Sequence, residues 1–98
     1  MEKGTSHCKL SVIKTLIKTG KVRMTASAVA GAELMGLNRT AIVDIVATLR
    51  PADFYKSMTT HADHTIWQDV YQPSTPLGHV YLKLTVIDDE LIVSFKEL

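Results

Sequence analysis

Apolar residues recur with a helical period as far as Leu49 and with a period of two after Pro51, and this change divides the chain into two halves. From about Ser6 to Thr19, Leu10, Ile13, Leu16 and Ile17 fall on one stripe of a helix, with Lys9, Lys14 and Lys18 off it. Thr5 or Ser6 is placed to accept the first free N–H groups, and Gly20 to end the helix in a left-handed conformation. Lys21-Val22-Arg23-Met24 alternates briefly, as an edge strand would. Thr25 or Ser27 then caps a second, alanine-rich helix from Ala28 to Met35, ended by Gly36. Asn38 caps a third, reaching Leu49, with Ala41, Ile42, Ile45, Val46 and Leu49 on its apolar face. Pro51 stops it, because the residue before a proline avoids the helical region.

Beyond Pro51, Phe54 to Thr59 reads as a strand, Thr60 to His64 as a polar connector and Thr65 to Tyr71 as a second strand rich in β-branched and aromatic residues. Gln72 to Gly78 holds Pro73, Pro76 and Gly78 and reads as a loop. His79 to Ile87 alternates, with Val80, Leu82, Leu84 and Val86 on one face and Tyr81, Lys83 and Thr85 on the other. Asp88-Asp89 forms a turn, and Leu91, Val93 and Phe95 alternate against Ile92, Ser94 and Lys96. The short connections imply an antiparallel meander. The expected fold is α+β, in one domain covering residues 1–98. Three N-terminal helices pack on a four-stranded antiparallel meander sheet, with an extra edge strand near residues 21–24 as a further option.

Register turns this pattern into geometry. With Asp88 and Asp89 at the centre of the turn, Leu82 meets Phe95, Leu84 meets Val93 and Val86 meets Leu91, all apolar and on one face. A slip of one residue would mix the faces. On the other face Tyr81 then meets Lys96, and Lys83 meets Ser94. A five-residue connector from Thr60 to His64 pairs Lys56 with Gln68. Pairing Tyr71 with Gly78 sets Gln68 opposite Tyr81 and sends Trp67 to the core. Four polar side chains on successive strands, Lys56, Gln68, Tyr81 and Lys96, would then cross the open face in a row, and a bulge would break it.

Composition adds limits. The chain is 46% hydrophobic, enough for a core without disulfides or metal. No apolar run approaches the roughly 18 residues of a membrane span, and the N-terminus lacks the apolar segment of a secretory signal. The lone Cys8 excludes an internal disulfide and fits a reducing cytoplasm. Net charge is +1, which argues against a dedicated nucleic-acid-binding protein. Its distribution is uneven: residues 1–50 carry eight Lys/Arg against three Asp/Glu, and residues 51–98 carry three against seven. The basic half points to an anionic partner or to a solvated helix face.

The row of polar residues suits RNA cleavage, which needs neither metal nor cofactor. A base takes the 2′-hydroxyl proton, the oxygen attacks phosphorus, an acid protonates the leaving 5′-oxygen, and cations stabilise the phosphoryl oxygens. Neighbouring cations lower the pKa of a lysine or a phenol. Lys56 and Tyr81 fit the proton-transfer roles, Lys96 the phosphate and Gln68 an orienting role. His64, Lys83 and Tyr55 are candidates for RNA contact or auxiliary chemistry. Each residue also has a plainer reading, as a surface lysine, a half-buried sheet tyrosine, a surface amide or a loop histidine. The spacing of His61, Asp63 and His64 does not make a metal site, since only the distant His79 follows.

The stretches DFYKSMTT, DHTIWQDVY, VYLKLTV and LIVSFKE, in that order across about residues 52–97, closely resemble the MqsR family of bacterial toxins, motility and quorum-sensing regulators with a RelE-like fold. The resemblance implies a type II toxin that cuts mRNA at GC-containing sites such as GCU. It also implies an antitoxin with a zinc-binding N-terminal part and a helix-turn-helix, DNA-binding C-terminal part. The family's active-site positions fall on Lys56, Gln68, Tyr81 and Lys96, and all four residue types match. Departures in the Gln72 to Gly78 loop, the Asp88-Asp89-Glu90 turn and the second helix bear on base preference and antitoxin choice. The alternative is a non-catalytic RNA- or protein-binding regulator on the same fold.

Overall fold

A computed structural model describes residues 1–97. The elements are β1 (Glu2–Lys3), α1 (Leu10–Lys18), β2 (Val22–Met24), α2 (Ala26–Leu34), α3 (Arg39–Ala47), β3 (Phe54–Thr59), β4 (Trp67–Tyr71), β5 (Ser74–Thr75), β6 (Gly78–Ile87) and β7 (Glu90–Glu97). The fold is α+β, and the sheet runs in the order β1-β3-β4-β6-β7-β2, with β5 folded onto the start of β6. The expected meander is its centre, β3-β4-β6-β7. At its edges, β2 is the extra strand allowed near residues 21–24 and adds parallel to β7, while β1, which the pattern did not predict, adds antiparallel to β3. The helices are therefore not an uninterrupted N-terminal block, because one strand precedes α1 and another separates it from α2.

The N-caps of α2 and α3 and the stops of α1 and α2 follow the sequence, while α3 ends at Ala47, two residues short of the expected Leu49. Thr25 Oγ1 accepts the Ala28 N–H, Asn38 Oδ1 accepts the Ala41 N–H, and Gly20 and Gly36 take the left-handed φ that stops α1 and α2. The start of α1 differs from expectation, beginning at Leu10 with no side-chain cap. The amides of His7 and Cys8 are taken by the Asp69 carboxylate, at 2.9 Å each, which keeps this segment out of the helix.

The core lies on one face of the sheet. Tyr71, Leu82, Leu84, Val93 and Phe95 are buried there against Ile13, Leu16, Ala28, Ala32, Ile42 and Val46. α2 lies so close to β7 that a Cβ at Gly31 would stand 3.0 Å from the Phe95 carbonyl oxygen, which explains its small-residue composition. Trp67, expected in the core, is only half-buried and lies outside this cluster.

The β6–β7 register is the one the hydrophobic pattern selects, from Ile87–Glu90 to Tyr81–Lys96. Both turn residues have positive φ, 52° at Asp88 and 59° at Asp89, the geometry that Asn-Gly adopts most easily. Replacing Asp88-Asp89 with Asn-Gly is expected to stabilise the protein by about 1 kcal/mol, since the left-handed cost per ordinary residue is of that order. The urea midpoint should rise with an unchanged slope.

Candidate active site

Opposite the helices, the sheet presents Lys56 from β3, Val70 from β4, Tyr81 and Lys83 from β6, and Ser94 and Lys96 from β7. Tyr81 and Lys96 face each other across β6–β7, as the register argument requires. The Lys96 ammonium lies 5.0 Å from the centre of the Tyr81 ring, and the Lys83 ammonium lies 5.9 Å from it. The ring face attracts both cations.

The other two expected pairings are corrected. Lys56 pairs with Val70, and Gln68 with Met58. This slip of two residues leaves every side chain on its expected face. Its cause is the connector, which is longer than the composition indicated. Asp63 Oδ1 accepts the N–H and the hydroxyl of Thr65, at 2.9 and 2.6 Å, and Thr60 Oγ1 donates to the Asp63 carbonyl. These turn hydrogen bonds keep Thr65 and Ile66 out of β4. The same bonds from Thr65 hold the Asp63 carboxyl below the usual aspartate range. Across β4–β6, Tyr71 meets Leu82 and not Gly78, and Val70 meets Lys83. Here β5 pairs with Gly78 and His79 and occupies the start of β6, so β4 docks further along.

The single row is thus replaced by two rungs. Lys56, Val70, Lys83 and Ser94 share one, and Tyr81 and Lys96 share the next. Val70 is fully buried yet outside the helix-side core, and forms an apolar floor under the lysines. Gln68 lies on the other side of the Lys56 rung, beside Met58, and is not a neighbour of Tyr81. His64 is exposed in the connector at that same end. A bulge between Phe54 and Lys56 pushes Tyr55 outward to 54% exposure, and the Lys56 ammonium stands 5.5 Å from its ring centre. Of the seven residues singled out from sequence, Lys56, Tyr81, Lys83, Lys96 and Tyr55 come together, while Gln68 and His64 lie to one end.

Glu2 was not legible in the sequence, since a two-residue strand shows no period. β1 sets Glu2 beside Met58, on the open face and diagonal to Lys56. Glu2 Oε1 accepts a hydrogen bond from Lys56 Nζ at 2.5 Å. This bond raises the Lys56 pKa; burial opposes the shift, and the charges of Glu2, Tyr55 and Tyr81 add to it. The expectation that neighbouring cations lower the Lys56 pKa is therefore reversed. The same bond lowers the pKa of Glu2.

The strand that carries Glu2 is held from the helix side. Asp69, 1% exposed, accepts the Ser57 hydroxyl at 2.7 Å in addition to the two amides of residues 7 and 8. His7 stacks on Trp67 with ring centres 5.7 Å apart, and the Lys3 ammonium sits 4.1 Å over the same indole and donates to His7 Nδ1. Among the described residues, no three His, Cys, Asp or Glu side chains gather as a metal would need, and no helix is long and apolar enough to cross a membrane. The result is an open face with three ammonium groups around a phenol on an apolar floor. Such a face can seat a phosphodiester and exchange protons with it.

The profile of a family described as motility quorum-sensing regulator, toxin of MqsA, matches residues 5–97. The chain is also 55% identical over 97 residues to a protein of Escherichia coli (strain K12) named mRNA interferase toxin MqsR, a match that covers 99% of each chain.

Proposed function

Since the chain belongs to the motility quorum-sensing regulator family, the toxins of MqsA, we propose that it is an endoribonuclease toxin of a type II toxin–antitoxin pair. In this reading residues 1–98 are one ribonuclease domain that cuts mRNA in the cytoplasm at GC-containing sites such as GCU. Its activity is checked by an antitoxin that carries a zinc-binding part and a helix-turn-helix. The observation that carries the reading is the Tyr81–Lys96 pair next to Lys56 and Lys83.

The chemistry follows from the charges. Lys83 and Lys96 carry no salt bridge among the described residues, so both are available to the phosphoryl oxygens, where preorganised cations act most strongly. Lys56, held as an ammonium by Glu2, suits the proton donor. Tyr81 is left as the acceptor. Tyr81, acting in its phenolate form beside the Lys83 and Lys96 ammonium groups, takes the 2′-hydroxyl proton and becomes the phenol, and the 2′-oxygen forms a bond to phosphorus. The bond from phosphorus to the 5′-oxygen breaks, and Lys56 protonates that oxygen. The products are a 2′,3′-cyclic phosphate and a 5′-hydroxyl. Gln68 and Tyr55 lie where they can contact flanking nucleotides, Gln68 by hydrogen bonds and the exposed Tyr55 ring by stacking on a base.

The test uses purified protein, EDTA and an RNA of mixed sequence. Cleavage should persist in EDTA, and the mapped 3′ ends should be cyclic phosphates. Ends bearing a 3′-hydroxyl, or activity that needs added metal, would rule the mechanism out.

A further inference from the structure

We propose that Glu2 is a positioning residue of this site, a carboxylate carried by an edge strand to hold the Lys56 ammonium on the face that Tyr81 and Lys96 share. The inference rests on the ribonuclease reading for what Lys56 does, while the pairing itself rests on geometry. β1 is only two residues long, too short to persist by backbone pairing alone. It is nonetheless fixed at three points. Lys3 spans Trp67 and His7, Asp69 binds the amides of His7 and Cys8, and Ser57, the partner of Lys3 in the sheet, donates to the same carboxylate.

The outcome of that anchoring is one contact on the far side of the sheet, Glu2 Oε1 to Lys56 Nζ. Glu2 is 59% exposed and Lys56 26% exposed by side chain. An ion pair so open to solvent adds little to stability. A negative charge also opposes an RNA backbone, so on a face that binds phosphates it is a cost unless it orders something. What it orders is Lys56. A long, flexible side chain becomes a donor with one position, and a proton donor acts only from the right position.

The groups around Lys56 bear on how it titrates. From β1 comes Glu2, itself under the charge of the Met1 ammonium. Tyr55 comes from its own strand and Tyr81 from β6, and Lys83 lies across Val70. β4 presents Val70 and Gln68, neither of which titrates. Glu2 is the only carboxylate in that set, so removing it changes one sign of charge.

The experiment compares wild type, Glu2→Gln and Glu2→Asp. Side-chain NMR follows the titration of Lys56 in each, and steady-state cleavage gives kcat and KM against pH. In Glu2→Gln the Lys56 titration should move to lower pH, and the alkaline limb of the rate profile should move with it. kcat should fall by up to roughly fivefold, the ceiling for an exposed pair, while KM does not rise. Glu2→Asp should recover most of the rate, because it restores the charge. A purely structural Glu2 would instead weaken all functions together and leave the rate profile where it was. An unchanged Lys56 titration in Glu2→Gln overturns the proposal, as does a higher kcat, which would make Glu2 a competitor of the phosphate. If wild type does not cleave RNA, the ribonuclease reading fails, and the NMR titration still reports separately on the Glu2–Lys56 pair.

Discussion

Tyr81→Phe is expected to lower single-turnover cleavage by roughly 100- to 10,000-fold, the usual contribution of a positioned acid or base, while RNA affinity stays within about twofold. The substitution removes one oxygen and keeps the ring that Lys83 and Lys96 approach at 5.9 and 5.0 Å. Tyr81 is half-buried on the open face, and no hydrogen bond of its hydroxyl is seen among the described residues, so the fold does not depend on that oxygen. A thermal melt should show Tm nearly unchanged. Lys96→Ala should behave differently, because Lys96 is assigned to the phosphate. Its loss should weaken RNA binding as well as turnover and flatten the dependence of affinity on salt. The pair of variants separates an enzyme from a binding module. A module that only binds RNA would tolerate Tyr81→Phe, and near-wild-type cleavage by that variant would remove Tyr81 from the chemistry.

The Tyr81–Lys96 pair was legible because a two-residue turn fixes the register of its hairpin. With Asp88 and Asp89 at the turn, the alternation of Leu82, Leu84 and Val86 against Phe95, Val93 and Leu91 admits one pairing that keeps the core together. The other two pairings depended on loops. Composition marks Thr60 to His64 as polar, but it does not reveal that Asp63 ties down Thr65 and delays β4. Nor does a run with two prolines reveal that Ser74 and Thr75 pair with the start of β6. Both differences are even-numbered shifts in register, so the faces are kept and only the neighbours change. Lys56 therefore kept its place on the open face, while Gln68 lost its place beside Tyr81.

The N-terminal segment was illegible for a different reason. Its structure comes from long-range contacts and not from periodicity. The apolar stripe and a Thr5 or Ser6 cap place the start of α1 near Ser6, but a buried carboxylate distant in sequence claims the amides of His7 and Cys8. The expected Tyr71–Gly78 pairing sends Trp67 to the core. Trp67 does point to the helix side, where Lys3 and His7 cover it in place of a helix. The same contacts bring Glu2 to Lys56, so the part of the site that the pattern could not show is the part built by tertiary capture.

Asp69 carries that capture, and Asp69→Asn should be among the most destabilising single changes in the protein. The carboxylate is 1% exposed and accepts three hydrogen bonds, from the His7 amide at 2.9 Å, the Cys8 amide at 2.9 Å and the Ser57 hydroxyl at 2.7 Å. Asparagine has the same shape, but one of its two positions is a donor. Oδ1 and Oδ2 each face a backbone N–H, so either orientation of the amide sets an N–H against an N–H. One buried donor is left unpaired, and the charge that strengthened the other bonds is gone. The expected cost is about 2–4 kcal/mol, from one unsatisfied buried group plus the loss of charge-assisted bonds. For a chain of this size that corresponds to a fall in Tm of roughly 10–25 °C. Trp67, the only tryptophan, reports on where the loss occurs. Its ring lies under Lys3 and against His7, so release of residues 1–8 should change its fluorescence at urea concentrations below the global transition. The Lys56 titration should then move as it does in Glu2→Gln, because β1 no longer delivers the carboxylate. An Asp69→Asn protein with wild-type stability and unchanged Trp67 fluorescence would show that the N-terminal segment is held by the Lys3–Trp67–His7 stack alone.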